Sequence, residues 1–290
     1  MLKQFIEGRP LSATNMKTFA SCPRRFYYKM TGVPEEYIGN QLLLGGALHS
    51  AAETFFRNKN YPVQVVVGNF ILDYESRYDA YKQAGQKVFY RSGSPRKDKA
   101  EGAGMLEGFC EEYRSLPCVE PECEMIADVT IDGYTVRLYA GIDVVVEDAD
   151  YFGIYDIKSG KSAPTDIYLK HDMQLGQYAY VFRHGSFCTL DKQTKQLTSR
   201  KALFDPLSKP LKYKGIYNIR GYLKQPFTSH QVEFRTEEFD EDNFLLTLHA
   251  LIKEMELYSQ INYWPKRGIG SVHDCSCAYC SYKEKCQGEV

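Results

Sequence analysis

The 290-residue sequence lacks the features that would place it in a membrane or in a disordered class. No apolar run approaches the length of about 18 residues that a membrane-spanning helix needs. Met1–Pro10 is too polar for a secretory signal. Internal repeats and low-complexity tracts are missing too, and the apolar content of 43% is ordinary for a globular protein. These absences predict a cytoplasmic protein that has no membrane partner.

A strong charge of either sign is also missing, because 36 basic side chains face 37 acidic ones. The net charge therefore says nothing about nucleic-acid binding, and the local clustering of basic residues is the relevant feature. Between Lys192 and Lys224, nine basic residues accompany a single acid, Asp205. Lys212, Lys214 and Arg220 alternate there with tyrosines, which is typical of a surface that binds phosphates and stacks bases. A solvated face or a loop is the alternative interpretation.

The nine cysteines are expected in a reducing compartment, where metal binding or catalysis is a commoner role than disulfide formation. Cys277, Cys280 and Cys286 supply three thiols in ten residues, a spacing that zinc and iron–sulfur clusters both use. The residues alone leave the fourth ligand open. Cys275 would complete a local zinc site, whereas Cys22 would close a loop across most of the chain. The remaining four lack ligand spacing and are expected to be buried as small apolar side chains: Cys110, Cys118, Cys123 and Cys188.

Two strands joined by a tight acidic turn carry the candidate catalytic groups. If the turn centres on Glu147–Asp150, Asp143 lies opposite Ile154. Asp143, Asp156 and Lys158 then project from one face of the hairpin. The two carboxylates would be diagonal neighbours with Cα atoms roughly 7–8 Å apart, close enough to hold one divalent cation beside an ammonium. This arrangement is typical of phosphodiester cleavage, and a surface hairpin with a solvated Asp–Lys face is the alternative.

The opposite face of this hairpin is expected to be apolar. Ile142, Val144 and Val146 would line it from the first strand, with Tyr155 and Ile157 from the second. Carboxylates on a half-buried strand are costly unless a partner compensates their charge, and that cost favours the metal interpretation.

Helical spacing of apolar residues recurs outside the hairpin. Ser12 caps a first helix, which Pro23 interrupts or restarts. A second helix begins near Gly45 and carries His49 and Glu53 one turn apart. Further helices are predicted at 63–85, 100–116, 166–184 and 244–255, and strands at 123–146, 186–190, 214–222 and 231–236.

The order of these motifs resembles the RecB/AddB-type nucleases of the PD-(D/E)XK superfamily, in the iron–sulfur branch that includes the CRISPR-associated RecB-like exonucleases. The resemblance covers most of the chain, from Cys22 to Cys286. It rests on a CPRRFYY segment preceded by Ser12, on GGALH at Gly45–His49, on Gly141 and Asp143, on Asp156, Lys158 and Gly160, on Gln174 and Tyr178, and on Cys277, Cys280 and Cys286. Gly141 and Asp143 are one residue closer together than in the family pattern.

The resemblance implies one α/β domain over residues 1–290, a restriction-endonuclease-like fold with a central mixed sheet flanked by helices. Residues 59–120 would be a helical insertion. The implied function is a metal-dependent DNA nuclease, an exonuclease acting on single-stranded DNA or on DNA ends. No helicase motif is present, so a partner helicase or recombination protein would have to supply unwinding. Two other functions stay open: a catalytically quiet DNA-end-binding subunit, or a zinc-stapled RNA-binding protein.

The resemblance also assigns the ligands of an iron–sulfur staple. Cys22 would join three cysteines of residues 265–290 around a [4Fe-4S] cluster, pinning the N- and C-terminal segments together. Those three are Cys277, Cys280 and Cys286. Cys275 is an additional thiol that departs from the family pattern and keeps zinc as the alternative.

Finally, the resemblance assigns roles within the nuclease site. Mg²⁺ or Mn²⁺ would be held by His49, Asp143, Asp156 and the backbone carbonyl of Ile157. Lys158 would direct the attacking water and stabilise the transition state. Gln174 and Tyr178, which share one helix face, would position Lys158 or the DNA backbone.

Overall fold

The computed structural model describes residues 9–90, 93–160, 172–191, 194, 196–219, 228–235, 239–266 and 280–288. For residues 160, 213–219 and 228–235 the description covers the backbone alone. Of the helices in these ranges, none combines the length and the apolar character that crossing a bilayer would require.

The described ranges contain ten strands and eight α-helices. The strands are β1 (Leu11–Ser12), β2 (Tyr37–Gly39), β3 (Lys87–Phe89), β4 (Cys118–Ile131), β5 (Tyr134–Glu147), β6 (Phe152–Gly160), β7 (Ser186–Leu190), β8 (Leu197–Ser199), β9 (Leu211–Ile219) and β10 (Thr228–Arg235). The helices are α1 (Ala13–Ser21), α2 (Pro23–Met30), α3 (Asn40–Arg57), α4 (Val63–Gln83), α5 (Pro95–Tyr113), α6 (Met173–His184), α7 (Glu241–Gln260) and α8 (Lys283–Gly288).

Eight of the strands form one mixed sheet. Its order is β10-β9-β6-β5-β4-β7-β8, and β1 pairs in parallel with β5. The β6–β9 pair is parallel, and the other pairs along the sheet order are antiparallel. Strands β2 and β3 form a separate parallel pair. The predicted α/β fold with a central mixed sheet flanked by helices is therefore confirmed.

Each face of the sheet has its own apolar core. Helices α1, α6 and α7 cover one face, where Phe19, Leu138 and Ile252 are fully buried. Helices α3, α4 and α5 cover the other, where Phe70 and Val144 are fully buried. Complete burial of one such side chain stabilises the fold by about 1.5–3 kcal/mol, so two filled cores hold the sheet between two helical layers.

Proline and capping residues set where the first helices begin. Helix α1 is capped by the Ser12 side chain, which accepts a bond from the Asn15 amide, and it ends at Ser21. Helix α2 begins at Pro23, because a proline suits the first turn, where its missing N–H costs nothing. Cys22 is left between the two helices in an extended conformation, as the predicted interruption at Pro23 requires.

Helix α3 begins at Asn40, earlier than the sequence predicted. Leu43 and Leu44 are fully buried in its first turns, and these contacts extend the helix ahead of the glycine pair. The side-chain Nδ2 of Asn40 donates to the carboxylate of Asp98 on α5, which also accepts a bond from the Tyr74 hydroxyl on α4. This buried network joins the three helices of one layer.

The predicted helices at 63–85 and 100–116 correspond to α4 and α5. Helix α5 starts at Pro95 because the Ser94 side chain caps it, accepting a bond from the Lys97 amide. That these helices are an insertion in the nuclease domain, over 59–120, stays a prediction. Elsewhere, α6 covers the later part of the helix predicted at 166–184, and residues 161–171 lie outside the described ranges.

The two ends of the described chain lie together. The Arg24 side chain donates through Nε to the carbonyl of Trp264 at 2.6 Å, and the Tyr27 and Trp264 rings stack at 5.4 Å. Further along, the Glu36 amide donates to the carbonyl of Ser281. The N-terminal part of the chain therefore contacts both described segments at the C-terminal end.

Two glycines of α5 provide a test of how closely the helical layer is packed. A Cβ on buried Gly102 would lie 2.1 Å from the Phe70 ring on α4, whereas one on exposed Gly104 would meet nothing within 4 Å. We expect Gly102→Ala to lower the free energy of unfolding by about 1–3 kcal/mol through overpacking. The matched change Gly104→Ala should raise it by about 0.5–1 kcal/mol.

Urea denaturation of both variants measures the two free energies. Equal effects at the two positions would contradict the close approach of α4 and α5.

Candidate active site

The candidate catalytic hairpin consists of β5 and β6, with a register two residues from the predicted one. Val145, not Asp143, pairs with Ile154. The prediction was wrong because the turn is displaced: the Asp148 amide donates to the Tyr151 carbonyl at 2.9 Å. Because side chains alternate with a period of two, a shift of two residues by itself leaves each side chain on its predicted face of the hairpin. Extending the observed register by one pair places Asp143 opposite Asp156.

The strand carrying Asp143 changes faces at that residue. Ile142 is buried in the core beside α6, whereas Val144 is buried beneath α3, although the sequence predicted one face for both. The neighbouring strand is irregular at the same point: Glu122, opposite Asp143, has a φ of 50°, which few non-glycine residues adopt. The core that contains Val144 also contains the other residues predicted to share its face: Val146, Tyr155 and Ile157.

Asp143 receives two hydrogen bonds from different elements. Its Oδ1 lies 3.1 Å from Nδ1 of His49 on α3, and its Oδ2 accepts a 2.6 Å bond from the Ile157 amide on β6. These contacts fix the carboxylate between the helix and the adjacent strand. The GGALH histidine and the hairpin aspartate, 94 positions apart in sequence, therefore meet.

A third potential metal ligand, Glu122, was missed by sequence reasoning. One ligand atom from each of His49, Glu122 and Asp143 can be chosen so that all lie within 4.8 Å of one another. Strand pairing could have identified it, because Glu122 of β4 lies opposite Asp143 of β5 in the register of the two strands. Glu53, considered at the sequence level, instead accepts bonds from Arg57 one turn further along α3.

The other predicted groups form a connected chain of hydrogen bonds. Asp156 Oδ1 accepts a 2.7 Å bond from Lys158 Nζ and a 2.9 Å bond from Gln174 Nε2. Gln174 Nε2 also donates to the Tyr178 hydroxyl at 2.9 Å, and that hydroxyl donates to the Gly141 carbonyl at 2.8 Å. Helix α6 is thereby bonded to both strands of the hairpin at the level of the two aspartates.

Burial and charge shift the pKa values of the clustered groups. Burial lowers the pKa of His49, but the charge of Asp143 and the bond to it outweigh that effect and raise the pKa to about 9. Burial acts to raise the pKa of Asp143, yet His49 holds it below its ordinary value. Burial, together with the charge of Asp143, raises the pKa of Asp156 against the opposing charge of Lys158. Without a metal, a protonated His49 thus provides the positive charge beside Asp143.

The predicted nucleic-acid contacts are only partly within the described side chains. Lys212 lies over the Tyr151 ring, with Nζ 4.0 Å from its centroid. The Lys214 side chain and all of Arg220 lie outside the description. Two other cations of the basic segment contact acids of this chain: Lys209 with Glu147, and Arg200 with Glu120.

The cysteines expected at the staple come from both ends of the chain. Cys22, Cys280 and Cys286 are half-buried, whereas Cys275 and Cys277 lie outside the described ranges. Burial raises the pKa of Cys280, and the charges of Cys22 and Cys286 act in the same direction. Within the described part of the chain, no three cysteines bring ligand atoms as close together as the His49 group does. Of the four cysteines expected to be buried, Cys110, Cys123 and Cys188 are buried, whereas Cys118 is only half-buried.

Comparison with known proteins gives a family match and a fold match. A family model described as the PD-(D/E)XK nuclease superfamily matches residues 10–287. Among solved structures, the chain is similar to a Eubacterium rectale protein provisionally named an exonuclease, with a TM-score of 0.53 and 13% identity over 95% of this chain and 87% of that one. SSO0001 aligns with a TM-score of 0.42 and 12% identity over 98% of this chain and 89% of its own, which is too weak to carry an argument. No curated protein matches the sequence.

The His49–Asp143 pair predicts a pH-dependent stability of the metal-free protein. Because the folded pKa of His49 is raised to about 9, its contribution is complete below the ordinary value of 6.5 and is lost as the pH rises through 9. We expect the stability advantage of the wild type over His49→Gln to shrink by roughly 1–3 kcal/mol between about pH 6 and pH 9.5.

Urea denaturation in the presence of a chelator measures this difference. Asp143→Asn is the control, because removing the partner carboxylate should abolish the pH dependence that His49 confers. A stability advantage of the same size at both pH values would contradict the pairing.

Proposed function

The chain belongs to the PD-(D/E)XK nuclease superfamily, and we propose that it is a metal-dependent deoxyribonuclease, an exonuclease acting on single-stranded DNA or on DNA ends. The observation that carries the proposal is the convergence of His49, Asp143, Asp156 and Lys158 at one place on the sheet. A catalytically quiet DNA-binding subunit would not need to keep all four groups together.

The donor set fits a hard divalent cation. Carboxylate oxygens from Asp143 and Glu122 and one imidazole nitrogen from His49 are clustered, and Asp156 lies near enough for the charge of Asp143 to raise its pKa. We propose that these groups and the Ile157 carbonyl hold Mg²⁺ or Mn²⁺, and the imidazole somewhat favours Mn²⁺. When bound, the cation supplies activation of water and neutralises charge on the scissile phosphate.

Lys158 is proposed to orient the attacking water and to stabilise negative charge on the phosphate. Its ammonium is held 2.7 Å from Asp156 Oδ1, while its side chain stays 40% exposed and accessible to a substrate. A charge that is already in place does not have to be rearranged during the reaction, so its contribution to transition-state stabilisation is large.

Gln174 and Tyr178 are proposed to position Asp156 and, through it, Lys158. Burial keeps the pKa of Tyr178 well above its ordinary value, so its hydroxyl stays protonated and donates to the backbone of β5. Gln174 donates to both the Tyr178 hydroxyl and Asp156, and it thereby connects the position of Asp156 to that of Tyr178. Loss of either side chain should therefore reduce activity less than loss of Lys158.

We further propose that Cys22, Cys277, Cys280 and Cys286 hold a [4Fe-4S] cluster with a structural role. Support comes from the contacts between the two ends of the described chain, which carry Cys22 at one end and Cys280 and Cys286 at the other. Four thiolates are the donor set that such a cluster uses. The cluster would stabilise the contact between those ends, away from the hydrolytic groups. DNA recognition by Lys212, Lys214 and Arg220, and assistance from a helicase or recombination partner, belong to the same proposal.

We expect Lys158→Ala to reduce the cleavage of single-stranded DNA in Mn²⁺ by at least about 100-fold, because it removes preorganised positive charge from the reaction. Substrates labelled at either end report both the activity and its direction. Lys99→Ala is a matched control, since Lys99 is paired with Glu75 on the helical layer. Undiminished cleavage by Lys158→Ala would refute the assigned site, and DNA binding without any cleavage by the wild type would favour the non-catalytic subunit.

Protein purified without oxygen should contain about four iron and four sulfide per chain and absorb visible light. Cys22→Ala should lose the iron and unfold at a lower temperature, whereas Cys118→Ala, which changes a half-buried thiol away from the staple, should keep it. A colourless wild-type protein with stoichiometric zinc would overturn the iron assignment.

A further inference from the structure

A cavity of about 480 Å³ opens beside the proposed metal ligands, between α3 and α4. His49, Asp143 and Glu122 line it from α3 and the sheet, and Arg77 and Tyr81 line it from α4. The volume lies in the range of small-molecule sites, and a single nucleotide is a ligand of that size. None of the proposed catalytic roles uses the α4 side of this cavity.

Arg77 reaches the cavity by crossing α3 at a glycine. A Cβ on Gly46 would lie only 2.8 Å from Arg77 Nη1, so the guanidinium occupies the space that a side chain would need. Gly46 precedes His49 by three residues and shares its helix face, roughly 4.5 Å away along the axis. The arginine is therefore one helical turn from the proposed metal ligand. Its Nε donates to Asp73 at 2.6 Å, which fixes the orientation of the planar group.

The charge of the cavity makes this arginine significant. Asp143, Glu122 and Glu53 are acidic, with Asp143 paired with His49 and Glu53 with Arg57. A nucleic-acid phosphate entering such an acidic site needs a cation beyond the metal to offset repulsion. A guanidinium offers a fork of donors that matches phosphate oxygens, and its orientation here is set before the substrate arrives.

Tyr81 supplies a second feature of a nucleotide site. It follows Arg77 by four residues on α4, so the two side chains are neighbours on one helix face. Its ring is half-buried at the cavity wall. An aromatic surface beside a phosphate-binding cation is the combination that proteins use to bind single strands without regard to sequence.

We propose that this cavity binds the single-stranded nucleotide adjacent to the cleaved bond, with Arg77 holding its phosphate and Tyr81 contacting its base. The inference rests on the proposed nuclease function and specifies its substrate: a strand must be unpaired at this nucleotide before it can be cut. The helical layer would thereby contribute to substrate binding as well as to packing.

The test compares DNA with a small diester that has no neighbouring nucleotide. With single-stranded oligonucleotides in Mn²⁺, Arg77→Ala should raise KM by about 10- to 100-fold and change kcat by less than about threefold. Hydrolysis of bis(p-nitrophenyl) phosphate should stay unchanged. The KM of Arg77→Lys for single-stranded DNA should lie between those of the wild type and Arg77→Ala, because lysine keeps the charge and loses the forked arrangement of donors.

Two further variants separate a binding role from a structural one. Gly46→Ala should fold normally, since helices favour alanine, yet raise KM by displacing the guanidinium. Arg137→Ala is the matched control, because Arg137 is 40% exposed against 39% for Arg77 and is likewise paired with an aspartate, far along β5 from the site. It should leave KM unchanged.

A binding measurement keeps the inference independent of activity. Anisotropy of labelled single-stranded DNA, measured with a chelator, should show weaker binding by Arg77→Ala and a salt dependence shallower by about one phosphate contact. Unchanged KM and unchanged salt dependence would overturn the proposal, as would an equal loss of activity on DNA and on the small diester. If the wild type cleaves neither substrate, the nuclease proposal fails, whereas weaker binding by Arg77→Ala would still support the nucleotide site.

Discussion

The contact between His49 and Asp143 is the constraint on which the rest of the site depends. It joins the helical layer to the central sheet at a residue where β5 changes faces, and it does so with opposite charges at 3.1 Å. An isolated buried carboxylate at this point would be costly, and the imidazolium offsets that cost. Glu122 lies close to the same pair, so the contact that stabilises the metal-free fold also belongs to a group of three side chains that could hold a metal ion.

Local signals in the sequence were sufficient for several elements. The ring of Pro23 predicted the break between α1 and α2, and the apolar spacing of Phe244, Leu248 and Ile252 predicted α7. The alternation of β6 placed Tyr155 and Ile157 in a core. The spacing of Asp143, Asp156 and Lys158 also predicted that two acids and an amine lie close together, as the Lys158–Asp156 bond and the effect of Asp143 on the pKa of Asp156 indicate.

What the sequence did not reveal depends on contacts between distant segments or on unusual backbone geometry. The hairpin register depends on one hydrogen bond between Asp148 and Tyr151, and either turn position keeps the same alternation. Glu122 was missed because a positive φ in the middle of a strand leaves no trace in hydrophobic periodicity. The closeness of Gly46 to Arg77 follows from how α4 crosses α3, which neither helix predicts alone.

One face of the sheet is covered by helices that precede its central strands in the sequence, whereas the other is covered by α1 and by two helices that follow those strands. Helices α3, α4 and α5 precede β4, β5 and β6, whereas α6 and α7 follow them. A growing chain that has emerged from the ribosome only as far as β6 can therefore bury Val144 beneath α3. It must still expose much of the apolar surface around Leu138 to water. Synthesis of this protein consequently passes through a half-covered sheet, and that stage is where association with other nascent chains or with a chaperone would be greatest.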